Sequence, residues 1–600
     1  MNESPDRGPV ASLGRLARIF TPKERSQLAA LTVAQALQAV LEAAAVGLML
    51  PLVALFSDPS GATASRVTGL AASLGIREPR YVLVAACAFV FAFYALKNLY
   101  IALLLVVHYR IVFAKQISLS TELLSRYMHS PWPLHLRRNS AVLLRNVQNQ
   151  VTLFITAIVN PLQTLVSQQL VSLAIVALLV YAQPVAAALA FVVIGGAGFF
   201  IHSRIKVRLR EAGTARQQYR AEMIQSVQEA LGGLKEARLL GREQYFVDVF
   251  AASVEGFVRE YRILFMSGKL QRLALEMLVL GGALLVASVL VLQGSDLAAL
   301  LPTIAMFGVA MFRLLPSINS VAVALAGIRY YWPVVENLDQ ELAEMARFQT
   351  IPAASEEKSA SPLLRQRISV RAVSFRYPDA DVDALEEVSL DIPKGSAVAI
   401  VGPSGAGKST LVDVILGLLP PRSGCVLVDG TDIATCTGSW QRTIGYVPQH
   451  VYLLDSSVRR NVAFGVPGSE IDDARVWSAL EQAQIADVVR ELPDGLDTTL
   501  GEHGARLSGG QRQRIGIARA LYAKPEILVF DEATSAVDIE TERQLSEAIA
   551  ALGGHKTLII IAHRPSTVAK CDLHFELERG RLVGTSATVA AAAQQPHHPQ

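Results

Sequence analysis

Gly402-Pro403-Ser404-Gly405-Ala406-Gly407-Lys408-Ser409 follows the apolar run Ala397–Val401 and precedes a helix-forming stretch at 410–419. The spacing is G-x-x-x-x-G-K-[ST] between a strand and a helix. Glycines at these places let backbone N–H groups turn inward around phosphate oxygens. The helix start adds the positive end of a dipole. Lys408 can reach β- and γ-phosphates, and the Ser409 hydroxyl can ligate Mg²⁺. The stretch predicts an α/β domain built to hold a nucleoside triphosphate.

Downstream, Ile527-Leu528-Val529-Phe530 reads as a buried parallel strand that ends in Asp531-Glu532. α/β sheets bind ligands at the carboxyl ends of their strands. Asp531 would hold Mg²⁺ there, and Glu532 would polarise the attacking water. Two unpaired carboxylates beside a core are otherwise costly. Leu507-Ser508-Gly509-Gly510-Gln511 comes before that strand and opens a helix at 512–521. Ser and Gly at a helix N-terminus suit an anion. Ser508 with Gln511 three residues on also fits a plain capping box.

Upstream the composition changes. Six hundred residues allow three or four units at roughly 100–200 residues each. Hydrophobic residues are 52% and charged residues 18%, against about 45–50% and 25% in soluble chains. This excludes disorder, a basic nucleic-acid-binding tail protein and an ordinary soluble enzyme. A net charge of +3 says little about partners, and four scattered cysteines suggest neither a disulfide framework nor a zinc site. The stretch 1–25 is charged and has no cleavable apolar core.

A membrane-spanning helix needs about 20 mostly apolar residues. Six runs qualify: 26–56, 81–111, 151–181, 185–205, 272–292 and 297–328. Long helical connections at about 112–150 and 206–271 separate them and carry most of the Lys and Arg found between residues 26 and 328. The turns near Gln183-Pro184 and 293–296 carry none. The positive-inside rule therefore puts the long connections and both termini in the cytoplasm. In the first outer loop Val67, Leu70, Ala71 and Leu74 recur at helical spacing, which predicts a short amphipathic helix. The expected fold class is a membrane all-α six-helix transmembrane domain followed by an α/β P-loop nucleotide-binding domain. The expected order is a cytoplasmic segment at 1–25, the six-helix domain at 26–335, a linker at 336–367, the nucleotide domain at 368–584 and a disordered tail at 585–600.

Together these motifs resemble the nucleotide-binding domain of ABC transporters, over about 368–584. The resemblance gives ATP-binding roles to Tyr377, to Gly402, Pro403, Ser404, Gly405, Ala406, Gly407, Lys408, Ser409 and Thr410, and to Ser508, Gly509, Gly510 and Gln511. Tyr377 looks like the aromatic that stacks on adenine. Gln449 is similar to the glutamine that contacts Mg²⁺ and the membrane domain, so Ser409, Gln449 and Asp531 form the implied metal set. His563, in Ala562-His563-Arg564, is placed like a switch histidine on the γ-phosphate, making Glu532, His563 and Gln449 the implied catalytic residues. Ser535-Ala536-Val537-Asp538 resembles the loop after the catalytic strand, with Val537 where Leu is usual. Pro565 stands where Leu is common, and His503 where Arg or Asn is common. The resemblance implies a homodimer in which ATP lies between one subunit's phosphate loop and the other's Leu507–Gln511 segment. The chain is then a half-transporter with an ATPase and a type IV exporter fold, in a bacterial inner membrane. Pro131-Trp132-Pro133-Leu134 and Gly232-Gly233-Leu234-Lys235 lie where the family places coupling helices; each is also readable as a simple helix break.

Ionisable residues inside spans are functional candidates by default. Lys97, Arg272 and Arg313 lie about 16–20 residues from the expected outer ends, roughly 24–30 Å at 1.5 Å per residue. Two subunits would present six cations around one cavity. That belt suits an anionic head group and makes the chain look similar to bacterial flippases of lipid-linked oligosaccharides, the polyprenyl-pyrophosphate glycans. The competing expectation is pairing: Arg272 with Glu276 at i,i+4, Glu42 with Lys97, and Arg313 left over. A peptide, drug or phospholipid is the alternative cargo; membrane lipid surrounds the chain, and nucleic acid is not an expected partner.

Overall fold

The computed structural model describes residues 14, 16, 18–57, 62–73, 75–138, 140–182, 184–292, 297–347, 364–377, 380–501, 504–531, 556–562 and 568–587. The chain divides into two compact units, Met1–Met128 with Ser140–Phe348, and His129–Asn139 with Gln349–Gln600.

The first unit is helical. Its long elements are α1 (Pro22–Gly47), α2 (Met49–Ser57), α3 (Ala62–Ser73) and α4 (Pro79–Met128). After the short α5 (Trp132–Arg137) of the second unit come α6 (Asn160–Ala182), α7 (Pro184–Gly232), the short α8 (Leu234–Leu239), α9 (Glu243–Leu292) and α10 (Leu297–Arg347). Among the described residues, four stretches are long and apolar enough to cross a membrane: Pro22–Phe56, Pro79–Met128, Val142–Tyr181 and Gly308–Ala346. On α4 the side chains of Phe89, Phe91, Leu96, Leu99, Leu103 and Val106 are exposed. Such a continuous apolar surface has no use in water and suits lipid.

Helix starts and stops follow local chemistry. Thr21 and Glu24 form a reciprocal capping box at the head of α1, with Pro22 in the first helical position. The Pro- and Gly-marked breaks at Pro131 and Gly232-Gly233 enclose α5 and α8. The expected outer-loop helix is α3. One boundary differs from the sequence reading: the polar stretch assigned as linker from residue 336 begins as the last turns of α10. Val334, Val335, Leu338 and Met345 are buried there, so the polar residues form one face of an amphipathic helix.

Among the described residues the second unit holds ten strands. The antiparallel sheet has the order β2-β1-β4-β5, from β1 (Arg367–Phe375), β2 (Leu385–Pro393), β4 (Ser423–Val428) and β5 (Thr431–Asp432). The other sheet runs β10-β9-β3-β8-β7-β6. It contains β3 (Ala397–Val401), β6 (Ile444–Val447), β7 (Ile527–Asp531), β8 (Thr557–Ile561), β9 (Leu573–Glu578) and β10 (Arg581–Ala587). All are parallel except the edge strand β10. The central strands are buried on both faces, as continuous apolar runs require. Ala399, Phe530 and Ile560 enter one core, while Val398, Val529 and Ile559 enter the other. β10 takes in 585–587, so the expected tail begins as strand.

Candidate functional site

Register brings the sequence motifs to one end of the parallel sheet. Ile400 of β3 and Asp531 of β7 both pair with Ile561 of the strand between them. The carboxylate therefore stands level with the end of β3, about 10 Å across two strand spacings. Behind β3, residues 402–407 form the loop and α11 (Lys408–Ile415) begins.

The loop needs its glycines. Gly402, Gly405 and Gly407 have φ of +145°, +79° and +98°. A Cβ on Gly402 would sit 2.2 Å from the Leu577 carbonyl oxygen, and one on Gly407 would sit 2.6 Å from that of Ala384. Gly407→Ala meets both the wrong backbone region and a fixed carbonyl, costing about 1–3 kcal/mol at the loop. The expected result is ATP affinity lower by roughly 10–100-fold, read by nucleotide titration; unchanged affinity would mean the loop is not the nucleotide seat.

Lys408 is buried, and its Nζ donates to the carbonyl oxygens of Gly402 and Pro403, both at 2.9 Å. The ammonium is thus folded back over the loop it would share with phosphate. Tyr377 Oη lies 3.1 Å from Thr410 Oγ1, and its ring meets Phe375 edge-on at 5.0 Å. The expected adenine-stacking residue is therefore tied to the loop-helix junction.

Two further groups face Asp531. Tyr446 Oη donates to Asp531 Oδ2 at 3.2 Å. Asp413 on α11 is pushed up to about 6, first by burial and then by the Asp531 charge. Burial, aided by Asp531, also pushes the Tyr446 phenol up. The Asp531 carboxylate, at the end of β7 and level with the end of β3, is an oxygen donor of the kind a divalent cation takes. Of the Mg²⁺ set expected from sequence, Ser409 lies in the first turn of α11, Asp531 ends β7 and Gln449 lies two residues past β6. Neither Asp413 nor Tyr446 was picked out from sequence. Their signals were an acid on the buried face of the helix after the loop and a tyrosine three residues before Gln449.

Ser508 caps α12 (Gly509–Tyr522). Its Oγ accepts from Gln511 N at 3.3 Å, and Gln511 Oε1 accepts from Ser508 N at 2.8 Å. The capping-box reading is present in full. In the first turn Gly509 is half-buried and Gly510 is buried. Glu532, the 535–538 loop, His563, Pro565 and His503 lie outside the described residues.

The membrane unit carries the three cations. Lys97 Nζ donates to Glu42 Oε2 at 3.0 Å. Arg313 Nε donates to the same oxygen at 2.9 Å, and Arg313 Nη2 donates to Glu42 Oε1. The sequence left Arg313 unpaired; instead both cations share one carboxylate, because α1, α4 and α10 converge on Glu42. Glu42 and Lys97 are buried, while the Arg313 side chain keeps 43% of its surface. The trio has a net charge of +1. Arg272 is not part of it and bonds Glu276 at 3.0 Å on an exposed helix face.

Residues 385–535 match the family model described as ABC transporter. An ATP-dependent lipid A-core flippase of Ralstonia nicotianae is 33% identical over 484 residues, 78% of this chain and 78% of its own length. The protein of the same name from Cupriavidus metallidurans is 35% identical over 77% of each chain. The solved structure of a bacterial Atm1-family ABC exporter with ATP bound superposes with a TM-score of 0.69 at 25% identity, covering 94% of this chain and 96% of that one.

Proposed function

This chain belongs to the ABC transporter family, and from that premise we propose that two copies form an ATP-driven flippase for an anionic, glycan-bearing lipid. It is a multi-pass membrane protein of the exporter type whose soluble domain is an ATPase. In the proposed cycle ATP lies between Lys408 and Ser409 of one copy and Ser508–Gln511 of the other, with Tyr377 against the base. Mg²⁺ bound by Ser409, Asp531 and Gln449 would neutralise charge on the phosphates. Lys408 leaves its loop carbonyls for the β- and γ-phosphates. Glu532 accepts the proton of the attacking water, and His563 donates to the γ-phosphate. Closure reaches the membrane helices through α5 and α8.

The observation that carries the substrate reading is the Glu42–Lys97–Arg313 trio, which joins three apolar helices and keeps a half-exposed guanidinium and one positive charge. An intramembrane cation held this way suits a phosphate or pyrophosphate head group. Relatives named as lipid flippases favour a lipid over a peptide or drug. A lipid-linked oligosaccharide on a polyprenyl pyrophosphate, carried outward across a bacterial inner membrane, is the member of that class we favour. The second reading is an exporter of another amphiphile.

The test is ATP-dependent transfer of a fluorescent pyrophosphate-linked glycan-lipid in proteoliposomes. Neutralising Lys97, Arg272 and Arg313 together is expected to abolish transfer and leave ATP hydrolysis running. Arg272→Gln alone is expected to do little, since that residue is already paired. Unchanged transfer in the triple variant would remove the cations from substrate binding.

A further inference from the structure

Beneath the apolar part of the bundle, α7, α9 and α10 meet at very short range. A Cβ on Gly213 would lie 1.9 Å from the Tyr330 carbonyl oxygen, and one on Gly256 would lie 2.5 Å from the Tyr219 ring. That close approach delivers Arg216 into a box of four rings. Its guanidinium carbon lies 5.3, 5.4, 5.7 and 4.8 Å from the ring centroids of Phe257, Tyr261, Tyr330 and Tyr331. All are within range for cation–π attraction. Arg216 is only 4% exposed, yet its Nε has no hydrogen-bond partner. The buried Tyr330 hydroxyl and Arg145 Nε lack partners as well.

Two more cations share the place. Arg220 stands one turn beyond Arg216 and donates to Asn149 Oδ1 at 3.1 Å. Asn149 belongs to the π-helical turn Asn146–Gln150 that directly follows Arg145. Such turns often mark functional positions. Burial, with Arg216 and Arg145 as like-charged neighbours, holds the Arg220 guanidinium below its ordinary value. Among the described residues none of the three arginines has a carboxylate partner. Glu260, the acid on the adjoining face, is taken by Arg208 and Arg259 at 3.5 Å each. Aromatic faces can hold one buried cation, but they do not cancel three charges.

We propose that Arg145, Arg216 and Arg220, with the Tyr330 hydroxyl, form a binding site for a phosphate-type oxyanion. The site is separate from both the ATP site and the Glu42 trio, and the proposal stands whatever lipid is carried. A planar guanidinium presents paired donors that match phosphate oxygens. The anion would supply the missing countercharge and accept from the unpartnered donors. Arg220 lies 15 residues beyond the apolar run that ends at 205, roughly 22 Å along a helix. A dissolved phosphate or a long lipid head group could each reach that level.

The test uses the full-length chain in phosphatidylcholine nanodiscs, carrying Lys408→Ala to silence the phosphate loop. Inorganic pyrophosphate is expected to raise its Tm, and Arg145→Gln with Arg220→Gln is expected to weaken that response by roughly 10–100-fold. The pair Arg145→Lys with Arg220→Lys should keep part of it. Removing two like charges should not lower the ligand-free Tm, which separates lost binding from lost folding. If pyrophosphate does nothing but phosphatidylglycerol in the nanodisc raises Tm in an Arg145- and Arg220-dependent way, the anion is a lipid head group. If neither probe stabilises the chain, or if both stabilise the Gln pair equally well, the site does not exist.

Discussion

Glu532→Gln is expected to bind ATP as tightly as the native chain and to hydrolyse it about 10²-fold more slowly or worse, the scale of losing a general base. The argument begins with β7, whose apolar residues are buried on both faces and whose register sets Asp531 level with the end of β3. The next residue in sequence is Glu532. The amide is nearly isosteric with the carboxylate, so packing and phosphate contacts persist while the proton acceptor is lost. Steady-state ATPase and nucleotide titration on the same preparation separate the two effects. Near-native turnover would exclude Glu532 as the base.

Glu42→Ala is the second large effect. It removes the one carboxylate between Lys97 and Arg313 and leaves a buried ammonium uncompensated. Breaking a buried pair from one side costs about 3–5 kcal/mol. Thermal unfolding should fall accordingly. Replacing all three residues by apolar ones of similar volume should recover most of the loss, because the cost lies in the orphaned charges. The exposed Arg272–Glu276 pair is the internal control: surface pairs contribute about 0–1 kcal/mol, so Arg272→Gln should barely move the midpoint. Equal losses from Glu42→Ala and Arg272→Gln would mean that Glu42 is not buried as described.

What was legible in the sequence was whatever depends on neighbours along the chain. The phosphate loop, the Ser508–Gln511 capping box, the Arg272–Glu276 pair and the breaks around α5 and α8 are all local patterns. The Lys97–Glu42 pair was also within reach, because depth along a helix can be counted from sequence. The Arg313–Glu42 bond was not. Depth is one coordinate, and which helix faces which around the bundle is another, set by packing between residues 271 positions apart. The ring box around Arg216 was hidden for the same reason, since its walls come from α9 and α10. Asp413 and Tyr446 became part of the site only once register had placed Asp531. The start of the linker was misplaced because polar composition hid a one-sided helical pattern in α10.

The central claim is that each ATP site is completed by a second copy of the chain. Turnover per chain, measured on nanodiscs sorted into those holding one copy and those holding two, tests it most directly. Two-copy discs should hydrolyse ATP and one-copy discs should be close to silent. Equal turnover per chain in both fractions would contradict it.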